Sequence, residues 1–126
     1  MAGGGGSSRF APHRPRAADE RLALLLEDAE RGVARAQRHL ANRYLRGRGV
    51  VRDPARAAHW MRRAAEQGFA PAMRAWGEYL EQGVGGPADP AAALTWYRRA
   101  AARGDPPARE HLARLEPGAP APSDWK

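Results

Sequence analysis

From about Asp19 onward, apolar residues recur at intervals of three and four, the spacing that lines one side of an α-helix. The first helix is predicted over Asp19 to Arg31, with Leu22, Leu25 and Ala29 on one stripe and Gly32 in the left-handed stop position. A second spans Ala34 to Arg46, with Ala36, Leu40, Ala41 and Tyr44 as its inner set. Gly47 and Gly49 break it and Val50 plugs the loop. Asp53-Pro54 then starts a third helix with a side-chain acceptor followed by a proline at the first turn. Its inner face holds Ala57, Trp60, Met61, Ala64 and Ala65, and Gly68 ends it.

The arrangement then returns. A helix over Ala70 to Gln82 carries Ala72, Trp76, Gly77 and Leu80; a loop with Gly83, Gly85 and Gly86 leads to Asp89-Pro90; the next helix buries Ala93, Trp96, Tyr97, Ala100 and Ala101. A last helix opens at Asp105-Pro106, uses Ala108, Leu112 and Leu115, and halts at Pro117. Gly32, Gly68 and Gly104 lie 36 residues apart, and the same interval relates Trp60 to Trp96, Asp53-Pro54 to Asp89-Pro90, and Ala36 to Ala72 and Ala108. A fixed period of this size signals stacked helix pairs, none of which buries its apolar face without a neighbour. The expected fold is an all-α solenoid of about six helices over residues 19–116: half a repeat, two whole repeats and half a repeat. Residues 1–18 and 117–126, rich in Gly, Pro and Ser, are expected to be disordered.

The first unit resembles the Sel-one-like repeat (SLR) family, relatives of the tetratricopeptide repeats. Ala36, Leu40, Tyr44, Gly47, Gly49, Val50, Asp53, Ala57, Trp60, Ala64, Ala65 and Gly68 occupy the motif positions, with Ala41 where the motif has Gly and Arg56 where it has Lys. The second unit matches at Ala72, Gly77, Gly83, Gly85, Asp89, Ala93, Trp96, Ala100, Ala101 and Gly104. It departs at Trp76, Leu80 and Gly86. The resemblance implies a right-handed superhelix of antiparallel helix pairs that serves as a scaffold for protein partners, not a catalyst. Some family members are secreted and hold one disulfide per repeat; this chain has no cysteine and departs from that branch.

Composition narrows the picture further. The net charge of +7 comes from 21 basic against 14 acidic residues, which permits attraction to polyanions without demanding it. The lack of cysteine excludes disulfides and thiol chemistry, and a cytoplasmic home is the expectation. The longest apolar run in the N-terminal part, Leu22 to Leu26, is too short for a membrane span. His39 and His111 share a repeat position but have no second ligand at helical spacing, and the Gly83–Gly86 loop follows no strand and precedes no Lys-Ser or Lys-Thr. No metal, cofactor or catalytic residue is expected, and an enzyme is not.

In such arrays the first helix of each pair lines the concave face. Helix phase puts Arg35, Arg38, Asn42, Leu45 and Arg46 outward, then Pro71, Arg74, Glu78, Glu81 and Gln82, then Pro107, Glu110 and Arg114. This face of mixed sign suits a protein or peptide partner better than nucleic acid, and charge reversal at Arg38 and Arg74 is expected to abolish binding with melting intact. A second candidate surface is the convex ridge of Arg62, Arg63, Arg98 and Arg99, next to His59 and Arg103, where nucleic acid or an acidic surface could dock; Trp60 and Trp96 are expected to point inward, away from it. A third reading makes the chain a self-assembling subunit that stacks through its repeat ends. Trp125 in the C-terminal tail is an exposed docking candidate.

Overall fold

A computed structural model describes residues 17–116. Six helices follow in order: α1 (Ala17–Glu30), α2 (Ala34–Arg46), α3 (Pro54–Glu66), α4 (Ala70–Gln82), α5 (Pro90–Ala102) and α6 (Pro106–Leu115), with no strand among the described residues. Each helix packs mainly on its predecessor and successor in the chain, as expected of an α-solenoid built by stacking. The helices from α2 on start where the sequence pattern places them. The first begins two residues earlier than expected, at Ala17, and ends at Glu30. The disorder expected for the two ends falls on residues outside those described, apart from Ala17 and Ala18, which belong to α1.

Local chemistry sets the boundaries. Asp53, Asp89 and Asp105 accept hydrogen bonds from the backbone N–H groups of Arg56, Ala92 and Ala108, each at 3.1 Å, so α3, α5 and α6 begin with a satisfied cap followed by proline. At the other end, Gly47 and Gly83 adopt the left-handed conformation that closes α2 and α4, with φ of 70° and 75°.

Small residues let the helices approach. A Cβ on Gly77 of α4 would lie 2.6 Å from the Tyr97 ring of α5, and Tyr97 is fully buried. The largest fully buried side chains are Tyr97, Leu40, Met61 and Gln37. Trp60 and Trp96, expected inside, are only half-buried: each lays one face on the core and keeps the other near the surface. Leu45, expected to face outward, packs against the core instead. Helix phase alone cannot foresee this, because a solenoid helix has neighbours on several sides and its buried arc is wider than that of a surface helix.

Candidate binding face

The outward residues of α2, α4 and α6 fall into two kinds: those that this chain already pairs and those that it leaves unpaired. In the second unit, Arg74 of α4 donates through Nε to Asp105 Oδ2 at 2.8 Å and through Nη1 to Glu78 Oε1 at 3.2 Å. Asp105 is buried and also caps α6, so this pair ties the first helix of the second repeat to the start of the helix that follows that repeat. Glu81 receives both terminal nitrogens of Arg114, at 2.8 and 3.0 Å, and the Tyr97 hydroxyl at 2.8 Å. The Arg114 hydrogen bonds hold the Glu81 carboxyl below the usual carboxylate range, with the Tyr97 hydroxyl adding to them against the effect of burial. His111 stacks on Tyr97, with ring centroids 4.7 Å apart. Arg74, Glu81 and Arg114 are therefore clasps between helices as well as surface groups, and Glu78 supports Arg74 from within α4. The expectation that Arg74 can be reversed in charge with melting intact is corrected, because reversal would set a carboxylate against buried Asp105.

The first unit differs. Arg35, Arg46 and Arg48 have no ion pair among the described residues, although the Arg35 guanidinium lies over the Phe69 ring, 5.9 Å from its centroid. The Nε of Arg38 is buried without a hydrogen-bond partner. A shallow depression of about 320 Å³ opens at the C-terminal half of α2, lined by His39, Asn42, Arg43, Arg46 and Arg48, with no carboxylate in its wall. Arg43 there donates weakly to the Arg48 carbonyl, at 3.5 Å. Across the groove on α4, Tyr79 is buried and its hydroxyl likewise has no partner. Burial pushes that phenol up to about 12, against the pull of nearby Arg38 and Arg46. Glu110 of α6 is exposed.

Sequence reasoning singled out Arg35, Arg38, Asn42 and Arg46 but passed over Arg43, Arg48 and Tyr79. The overlooked signal was the replacement within the repeat register: Arg43 and Tyr79 share one position, as do Phe69 and Asp105.

The convex ridge is largely engaged internally. Arg62 pairs with Glu66 at 3.7 Å and Arg98 with Glu116. The guanidinium groups of Arg63 and Arg99 lie over the Trp60 and Trp96 rings, 4.9 and 4.8 Å from the centroids. The ridge does carry aromatic rings, contrary to expectation, but arginines cover their outer faces. Among the described residues, no group of three or more His, Asp or Glu is placed to hold a metal ion, and no helix is long and apolar enough to cross a membrane. Trp125 lies outside the described residues.

Comparison with known proteins agrees with the repeat seen in the coordinates. Residues 34–69 and 70–105 each match the Sel1 repeat. No curated protein matches the chain. Among solved structures, a protective antigen present in uropathogenic Escherichia coli strains and displaying an SLR fold is 41% identical, with a TM-score of 0.72 over 75% of this chain and 20% of that one. This chain thus spans a fifth of the length of that antigen. A Sel1 repeat protein from Oxalobacter formigenes is 36% identical, with a TM-score of 0.69 over 75% of this chain and 71% of the other. Sel1 repeat proteins generally mediate protein–protein interaction. With two successive matches that together cover more than half of its residues, the chain belongs to the Sel1 repeat family.

Proposed function

We propose that this protein is a non-catalytic adaptor that holds a protein or peptide segment on the face formed by α2, α4 and α6. The observation that carries this reading is the contrast between the faces. The convex arginines are paired or stacked within the chain, whereas α2 and α4 each keep a polar group, Arg38 Nε and the Tyr79 hydroxyl, buried and without a partner. Buried donors of that kind are costly to leave unmade, and a partner that supplies acceptors relieves them. The proposed compartment is the cytoplasm, since a chain without cysteine needs no oxidising environment to form disulfides.

The test is affinity purification of the tagged full chain from its native cells at physiological salt, with and without nuclease. A discrete protein partner that survives nuclease, and is lost on charge reversal at Arg35 and Arg46, supports the adaptor. Material that disappears with nuclease turns the assignment toward nucleic acid on Arg62, Arg63, Arg98 and Arg99. The self-assembly reading draws on exposed Leu24 of α1, the first of the described helices, which is 60% accessible. A molar mass in sedimentation equilibrium that rises with concentration would favour it.

A further inference from the structure

The two repeats treat one arginine differently. Arg38 and Arg74 occupy the same repeat position, and so do Phe69 and Asp105. In the second unit the arginine meets its carboxylate, Nε to Oδ2 at 2.8 Å, with the Asp105 side chain only 8% exposed. In the first unit the equivalent position is Phe69, which offers no carboxylate, and Arg38 Nε is left buried and unpartnered. Beside it lies Tyr79, 6% exposed, whose hydroxyl also lacks a partner and which feels the charges of both Arg38 and Arg46. Arg38, Asn42 and Arg46 form one stripe at spacing four along α2. The acid-free depression of Arg43, Arg46 and Arg48 with His39 and Asn42 adjoins this stripe.

We propose that the α2 side of this face binds an acidic peptide segment, one of whose side-chain carboxylates pairs with the terminal guanidinium nitrogens of Arg38, which has no internal carboxylate like that of Asp105, while a second is held by Arg46 and Arg48. This rests on the adaptor reading and specifies its ligand. Arginine suits the task because its planar fork engages a carboxylate through two parallel hydrogen bonds. Asn42 adds an amide that can pair with a peptide backbone. A long polyphosphate fits less well, because the outward positions of the next helices in register include the acidic Glu78 and Glu81 of α4 and Glu110 of α6. A short acidic segment ends before it meets them.

The experiment is selection of a random displayed-peptide library on the full chain, followed by synthesis of an enriched peptide and titration by fluorescence anisotropy. The enriched sequences are expected to be rich in Asp and Glu. The double variant Arg38→Met, Arg46→Ala is expected to weaken the synthesised peptide roughly ten- to a hundredfold, the loss that follows removal of charge-assisted hydrogen bonds. Its melting temperature should not fall, because neither arginine has an ion pair in the free chain and Arg38→Met removes a buried donor without a partner. Phe69→Asp, which offers Arg38 an internal carboxylate, should weaken binding in the same direction. Enriched peptides without acidic residues, or an affinity that the double variant leaves intact, would overturn the acidic-segment proposal and leave the adaptor standing. If no peptide is enriched, or a single-stranded RNA oligonucleotide binds more tightly than any selected peptide, both fall.

Discussion

At the scale of single residues, environment decides what each side chain is worth. Met61 is fully buried, so Met61→Ala is expected to lower stability by about 3 kcal/mol in urea unfolding, as transfer and cavity terms add. Trp60 is the larger side chain but half-buried under Arg63, and its truncation should fall below the range of about 3 to 5 kcal/mol typical of a buried tryptophan. Asp53 and Asp105 both cap helices, yet only Asp105 is buried and bound to Arg74. Asp53→Ala should therefore cost about 1 kcal/mol, and Asp105→Ala clearly more, because it also leaves a mostly buried guanidinium without its carboxylate. Comparison of the two denaturation midpoints checks the ranking. A similar loss for both would mean that the Arg74–Asp105 pair contributes nothing.

Between elements, the joints are made either by close approach or by ion pairs. The α4–α5 joint is of the first kind. Gly77→Ala improves helix propensity by about 1 kcal/mol, but the added methyl would lie 2.6 Å from the fully buried Tyr97 ring. Overpacking of about 1 to 3 kcal/mol should outweigh the gain, and a rise in melting temperature would contradict this. The α4–α6 joint is of the second kind. The Glu81 carboxyl titrates lower in the folded chain than in the unfolded one, chiefly through its hydrogen bonds from Arg114. Its contribution is thus complete above the ordinary carboxylate pKa and is lost as pH falls through the depressed folded value. Glu81→Gln should accordingly flatten the acid limb of a plot of melting temperature against pH, while changing little of its shape near neutrality.

Taken as a whole, the molecule is a short one-dimensional stack in which each helix is supported mainly by its chain neighbours. The central helices α3 and α4 have packed neighbours on both sides, whereas among the described residues α1 packs mainly on α2, and α6 mainly on α5 with its ion pair to α4. Amide hydrogen exchange should therefore show the greatest protection in α3 and α4 and fraying from α1 and α6. Uniform protection over all six helices would instead indicate a single all-or-none unit.

The repeat period, the caps at Asp53, Asp89 and Asp105, the glycine stops and the family were all legible in the sequence, because each depends on residues close together in the chain or on a register that repeats. The choice of which polar residues stay free was not. Arg38 and Arg74 look alike in sequence, and only the packing that brings Asp105 onto Arg74 and leaves Arg38 Nε without a partner separates an unmade donor from a clasp. Gln37 makes the same point. It reads as a surface residue of α2, but it is fully buried, donating to the Ala29 carbonyl at 3.0 Å and accepting from Gln67 at 2.8 Å. Such pairings span 8 to 31 residues, and local periodicity carries no information about partners that only packing brings together.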